Sequence, residues 1–93
     1  MFSTAQKSMS DIKTQEIIGN IRKIREFRNY TQDYLAAKLN ISQNAYSKIE
    51  LGYSSITLTR LIHIAEILEI SLVELINFSG EDVSFIKLTE RAS

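Results

Sequence analysis

The chain has 93 residues, 44% of them hydrophobic and 24% charged, which is typical of one compact globular domain. It contains no cysteine, which excludes a disulfide framework and a thiolate metal site. No apolar run approaches the ~20 residues that a membrane-spanning helix needs, and the N-terminus lacks the apolar stretch of a secretory signal. We therefore expect a cytoplasmic protein with no membrane association.

The net charge of zero hides an uneven distribution. Residues 1–48 contain eight Lys and Arg against four Asp and Glu, whereas residues 49–93 contain three against seven. Because only the charge that faces a partner steers binding, a neutral total is compatible with one basic face. Solvated helix surfaces also carry such charges, so the asymmetry alone does not separate the two interpretations.

The N-terminal third predicts a polar tail followed by a helix. Residues 1–14 are polar and are expected to form a flexible tail. Ile17, Ile18, Ile21 and Ile24 recur at helical spacing and predict a first helix over about residues 15–28. The chain has no proline, so helix ends are expected to be set by capping residues.

Capping residues predict four further short helices. Asn40 is expected to end the second helix in the left-handed conformation, and the third should end near Gly52. Ser71 forms a capping box with Glu74 in the fifth helix. The four N-caps are Thr31, Ser42, Thr57 and Ser71. The fourth helix carries the strongest apolar stripe, which comprises Leu58, Leu61, Ile62, Ala65 and Leu68. These elements predict an all-α fold of five short helices around one core, spanning residues 15–78.

The third predicted helix has two different faces. At about 100° per residue, one face presents hydrogen-bonding side chains and the other is apolar. Glutamine and asparagine match adenine in the major groove, and lysine can donate to guanine or phosphate. An ordinary amphipathic helix also turns a polar face to solvent, so composition alone leaves both interpretations open. The polar face comprises Gln43, Asn44, Ser47 and Lys48, and the packed face comprises Ala45, Tyr46 and Ile49.

The second and third helices, joined by a short turn, have the layout of a helix-turn-helix. Ala36 provides a small side chain where two steeply crossing helices approach closely. Thr31 and Gln32 lie at the N-terminus of the second helix, where free backbone N–H groups can bind phosphate. This context favours a DNA-binding interpretation of the third helix.

One charge falls on an apolar face. Arg25 shares the face of Ile18, Ile21 and Ile24, so it needs a partner or access to water. Glu50, at the edge of the third helix's packed face, is the candidate partner. An ion pair between them would fix the angle at which the third helix is presented, whereas the alternative is that Arg25 extends to solvent.

Residues 18–76 together resemble the phage-repressor, Cro-like helix-turn-helix family, also called the xenobiotic-response-element (XRE) type. The matching marks are "IR" followed by Arg25, "TQ" at 31–32, "LA" at 35–36 and "YSKIE.G" ending at Gly52. "IA..L" at 64–68 and "S...L" at 71–75 continue the pattern. The resemblance implies a compact five-helix, lambda-repressor-like domain.

The same resemblance implies a function and a set of site residues. It implies a bacterial or phage-encoded transcriptional regulator, a repressor, that binds a double-stranded DNA operator as a homodimer within the nucleoid. Arg25 and Glu50 correspond to the family's structural ion pair. The base-reading positions would be Gln43, Asn44, Ser47 and Lys48. The phosphate contacts would come from Thr31, Gln32 and Ser42, and, because the loop at 53–57 is poor in Lys and Arg, from Tyr53, Ser54, Ser55 or Arg60.

Other functions have less support in the sequence. The sequence shows no catalytic constellation and no cofactor motif. With His63 as the single histidine and no cysteine, it also lacks a set of metal ligands. We therefore expect neither an enzyme nor a cofactor-binding protein. Two alternatives remain: a protein-interaction module, such as an antitoxin-like subunit that holds a partner through residues 66–93, and a restriction–modification controller protein. The apolar extension at 79–93 is expected to cover the core or to contribute to a dimer surface.

Overall fold

The computed structural model describes residues 8–79, which form an all-helical domain, as predicted. No strand occurs within that range, and none of its helices combines the length and apolar character that a bilayer crossing requires. Residues 1–7 of the predicted N-terminal tail, and the predicted C-terminal extension apart from Ser79, lie outside the described residues. The helices are α1 (Met9–Phe27), α2 (Gln32–Leu39), α3 (Gln43–Glu50), α4 (Leu58–Ile67) and α5 (Leu72–Asn77).

Helix α1 begins six residues before the predicted position. Ser8 is its N-cap and accepts a hydrogen bond from the backbone N–H of Asp11 at 3.1 Å. Asp11 itself lies in the first turn, where a negative charge favours the helix dipole. Residues 9–16 are all exposed, so this part of the helix has no apolar periodicity by which the sequence could reveal it. Residues 9–14 of the predicted tail are therefore helical.

The N-termini of the other four helices are capped as predicted. In each, the side-chain oxygen of the N-cap accepts the backbone N–H three residues later, at 3.0–3.1 Å. The Ser71–Glu74 capping box is complete, since Glu74 also accepts the backbone N–H of Ser71. The four N-caps are Thr31, Ser42, Thr57 and Ser71.

Four helices end in the same left-handed turn. The prediction for Asn40 is confirmed, with φ at 61°. After each left-handed residue, the next backbone N–H donates to a carbonyl five residues back, which is the Schellman arrangement. The left-handed residues are Asn29, Asn40, Gly52 and Glu69. The left-handed conformations of Asn29 and Glu69 were not predicted.

All five helices contribute to one hydrophobic core. Ala36 is buried in this core, which agrees with the small side chain expected at the α2–α3 crossing. On α4 the predicted stripe is partly wrong, because Leu58 and Ile62 are 64% and 40% exposed. Leu61, Ile64, Ala65 and Leu68 instead follow the i, i+3, i+4, i+7 spacing of a single face, and positions 58 and 62 fall at its margin.

Asn20 in α1 and Arg28, the C-cap of that helix, are buried polar residues that bind the C-terminal ends of other helices. Asn20 Nδ2 donates to the carbonyl of Leu75 in α5 at 2.9 Å. Arg28 Nε donates to the carbonyl of Leu68 at 2.7 Å, and its Nη2 donates to that of Glu69 at 3.2 Å. The last carbonyls of a helix have no partner within the helix, so these side chains satisfy groups that burial would otherwise leave unpaired. They also fix α4 and α5 against α1.

Candidate nucleic-acid interface

Helix α3 is held firmly along one side. Tyr46 is 0% exposed and Ile49 is also buried, so two side chains one turn apart anchor the helix in the core. Ser42 Oγ accepts the backbone N–H of Ala45 at 3.0 Å and fixes the first turn. The left-handed Asn40 reverses the chain immediately before this cap. The α2–turn–α3 unit therefore presents its outer side on a rigid support.

The predicted reading residues lie on the surface of α3. Gln43, Asn44 and Lys48 are exposed, and Ser47 is half-buried beside them. Two amides, a hydroxyl and an ammonium group are thus brought together within two turns of one helix. Such a set can pair with the donors and acceptors along base-pair edges.

Ala45 differs from its prediction. It was predicted to lie on the packed face with Tyr46 and Ile49, but it is exposed. The core covers only the narrow stripe formed by those two residues, and Ala45 lies to one side of it. There it lines a hollow of about 220 Å³ between α3 and the start of α4.

The predicted ion pair between α1 and α3 is present. Arg25 Nε and Nη2 donate to the two carboxylate oxygens of Glu50 at 2.6 and 3.0 Å. The side chains are only 10% and 3% exposed. Arg25 Nη1 also donates to the carbonyl of Tyr30 at 2.9 Å, which ties the α1–α2 connection to the same guanidinium.

Two further groups, neither of them predicted, donate hydrogen bonds to Glu50. Tyr46 Oη donates to Glu50 Oε2 at 2.6 Å, and Gln32 Nε2 donates to Oε1 at 3.1 Å. The carboxylate therefore accepts four hydrogen bonds from α1, α2 and its own helix. The i, i+4 spacing of Tyr46 and Glu50 was the one available signal, whereas the approach of Gln32 depends on how α2 crosses α3.

These contacts perturb the acid–base properties of all three ionisable groups. Burial by itself would raise the pKa of Glu50, but hydrogen bonds from Arg25, Tyr46 and Gln32 outweigh it and lower the pKa below its ordinary value. The hydrogen bond to Glu50 raises the pKa of Arg25 against the opposing effect of burial. Burial, followed by the bond to Glu50, raises the pKa of the Tyr46 phenol. The cluster therefore holds one carboxylate and one guanidinium in their charged forms.

The candidate phosphate-binding residues form two groups: residues at helix N-termini, and residues that follow α3 in the chain. Thr31 and Gln32 lie at the N-terminus of α2, where Thr31 serves as cap and Gln32 binds Glu50. Ser42 is exposed at the N-terminus of α3, also as a cap. The remaining candidates, beyond the C-terminus of α3, are Tyr53, Ser54, Ser55 and Arg60.

The residues of the second group, which follow α3, line two different hollows. Ser54, Ser55 and Arg60 line the hollow beside Ala45. Tyr53 lies outside that hollow and lines a larger one of about 610 Å³ between the loop and α1, which Ser54 and Ser55 also line. Within residues 8–79, no cluster of three or more His, Cys, Asp or Glu side chains could hold a metal ion.

Comparison with known proteins agrees with this geometry. The family model described as "Helix-turn-helix" matches residues 21–75, which include all of α2, α3 and α4. The chain is 35% identical over 66 residues to YqaE of Bacillus subtilis (strain 168), which is named as an uncharacterized HTH-type transcriptional regulator. That alignment covers 71% of this chain and 57% of the relative, so the chain spans little more than half of that protein. No solved structure matches the chain at comparable significance.

Proposed function

Because the chain belongs to the XRE-type helix-turn-helix family, we propose that it is a DNA-binding transcriptional regulator that reads the major groove with α3. The observation that carries the proposal is the rigidly supported, outward-facing array on that helix. Three of its side chains are exposed and that of Ser47 is half-buried, while Tyr46 and Ile49 hold the opposite side in the core. The helix-turn-helix match and the name of the relative support the same conclusion.

Each reading residue has a role that follows from its chemistry. Gln43 and Asn44 offer a donor and an acceptor side by side, which suits the N6 and N7 edge of adenine. Lys48 donates to guanine acceptors or to a phosphate at the edge of the groove. Ser47, which is half-buried, donates or accepts a single bond at close range.

The two groups of candidate phosphate-binding residues would contact the DNA backbone and so position it against α3. Thr31, Gln32 and Ser42 would contact phosphates on one side of the groove, using backbone N–H groups at helix N-termini together with polar side chains. Ser54, Ser55 and Arg60, with Tyr53 nearby, would contact phosphates on the other side. Gln32 would approach its phosphate in a fixed orientation because Glu50 holds its amide.

We further propose that two copies act together as a repressor. Two copies bound to a pseudo-palindromic operator would place their α3 helices in successive major grooves, about 34 Å apart. A dimer held over promoter DNA would block transcription by occupying it.

Selection of bound duplexes from a random pool, at stated salt, tests the proposal and supplies an operator. Gln43→Ala and Asn44→Ala should each weaken binding to that operator by about 1–3 kcal/mol and relax base preference at one position. Asn77→Ala, an exposed amide at the end of α5, is the matched control and should bind as the unmodified protein does. If both α3 variants keep the affinity and preference of the unmodified protein for every duplex, α3 is not the reading helix.

A further inference from the structure

We propose that Ala45 recognises the C5-methyl group of a pyrimidine in the operator, and so selects a thymine at one position of each half-site. The inference rests on the proposed function. It adds to the four hydrogen-bonding residues a fifth reading residue of a different chemical kind.

The first support is the position of Ala45. It follows Gln43 and Asn44 on α3 and is exposed, although the core stripe of Tyr46 and Ile49 runs directly beside it. An exposed methyl on an otherwise polar surface can distinguish a base by apolar contact but not by a hydrogen bond. In the major groove, the one apolar group that differs between base pairs is the C5-methyl of thymine.

The second support is the shape of the hollow beside Ala45. Its volume of about 220 Å³ leaves room for a methyl group and the edge of the ring that carries it. Ile41 and Ile49 line it together with Ala45, so part of its wall is apolar. A methyl group that entered it would leave water for a hydrocarbon surface.

The third support is the polar edge of the same hollow. Ser54, Ser55 and Thr57 contribute hydroxyl groups, and Arg60 contributes a guanidinium. A phosphate bound at this edge would bring the adjoining nucleotide of the same strand over the apolar part. The apolar side chains of the hollow would thus contact the methyl group of the base, and Arg60 would contact the phosphate of the same strand.

Removing only the methyl group tests the inference. In the selected operator, each thymine is replaced singly by uracil, which keeps every hydrogen-bonding group. One replacement per half-site should weaken binding of the unmodified protein about fourfold, the value of withdrawing one CH₂-sized group from an apolar contact. Ala45→Gly should bind the thymine and uracil duplexes equally.

Ala37→Gly is the matched control, because Ala37 is an exposed alanine on α2 and the change costs a similar amount of helix stability. It should keep the fourfold preference for thymine. At the same position, a 5-methylcytosine duplex should bind about fourfold more tightly than a cytosine duplex, because the proposed contact is to the methyl group itself. Equal binding of these two duplexes would count against the contact.

The inference is overturned if no uracil replacement weakens binding, or if the preference for thymine persists in Ala45→Gly. The proposed function fails in a distinguishable way, at the earlier step, when selection yields no preferred duplex. Thermal unfolding of each variant confirms that the compared proteins are folded at the assay temperature.

Discussion

The carboxylate of Glu50 organises the contact between the helix-turn-helix and the rest of the domain. It is almost buried and accepts hydrogen bonds from a guanidinium, a phenol and an amide. Burying an ion pair costs desolvation free energy that offsets much of its attraction, so the cluster fixes the orientation of α3 more than it adds net stability. Removing one partner is different, because the other charge is then left buried without compensation.

Stability should therefore depend on pH through Glu50. A carboxyl group whose pKa is lowered on folding stabilises the folded protein. That contribution is fully present above the pKa of the unfolded chain, near 4.5, and is lost as the pH falls through the pKa of the folded protein. We expect the free energy of unfolding, measured with urea, to decrease below about pH 4.5 with a contribution from this residue. Glu66→Gln, at an exposed position, should leave that decrease unchanged. An acid range in which the protein shows no loss of stability would contradict the assignment.

Substitution of the same residue gives a second measure at neutral pH. Glu50→Gln removes the buried counter-charge of Arg25 and leaves only the half-exposed carboxylate of Glu26, 3.8 Å from Arg25 Nη2. We therefore expect a loss of about 3 kcal/mol in the free energy of unfolding. For a small domain this is a large share of the total, and urea titration at low temperature measures it. Glu66→Gln should change the same quantity by less than about 0.5 kcal/mol. Comparable losses in both variants would show that the cluster has no special role.

At the scale of helices, α1 contains a glycine that nothing in its surroundings requires. Gly19 lies in the middle of the helix, and a Cβ atom added there would meet no atom within 4 Å. We expect Gly19→Ala to raise the free energy of unfolding by about 0.5–1 kcal/mol, because alanine loses less backbone entropy on forming a helix. Thermal or urea unfolding measures the change.

Gly52 provides the contrasting control for that experiment. Its φ of +78° ends α3, and an added Cβ would lie 3.0 Å from Gln15 Nε2. Gly52→Ala should lower the free energy of unfolding by about 1 kcal/mol or more, because alanine resists this conformation. A loss of stability in Gly19→Ala would mean that this face of α1 is covered in the folded protein.

The helices differ in how well their sequence reveals them. N-caps are local, since a side chain and a backbone N–H three residues apart decide them, and Thr31, Ser42, Thr57 and Ser71 were all predicted correctly. The start of α1 was missed because its first turns bury nothing. Glu69 was missed because nothing in its side chain indicates a left-handed backbone, which the Schellman turn after α4 imposes.

The candidate site divides in the same way. Which residues of α3 carry hydrogen-bonding groups follows from the sequence, and so does the pairing of Arg25 with Glu50. The exposure of Ala45 and the approach of Gln32 to Glu50 depend on how α2 and α4 cross α3. A single helical wheel contains no information about those crossings.

At the scale of the whole molecule, the uneven charge distribution bears on how strongly DNA binding depends on salt. The first half of the chain, which contains α2 and most of α3, is basic, but few cations lie near the candidate interface. Each phosphate neutralised adds about 0.9 to the slope of log K against log salt, so we expect a slope of only about 2–3 per subunit.

Arg60 should account for one unit of that slope. Arg60→Gln is expected to weaken binding to all duplexes alike and to reduce the slope by about one per bound subunit. Lys23→Gln, on the exposed surface of α1 that faces α5, is the matched control and should leave the slope as it is. Fluorescence anisotropy at several salt concentrations measures both, and an unchanged slope in Arg60→Gln would remove this residue from the phosphate contacts.

The separation between the anchored and the open sides of α3 has an evolutionary consequence. Positions 43, 44, 45 and 48 are exposed, whereas Tyr46, Ile49 and Glu50 make the contacts that hold the helix in the domain. Mutations at the open positions can accumulate without threatening the integrity of the domain. A lineage carrying this scaffold could thus acquire new target sites through a handful of codon changes, each intermediate remaining a folded protein.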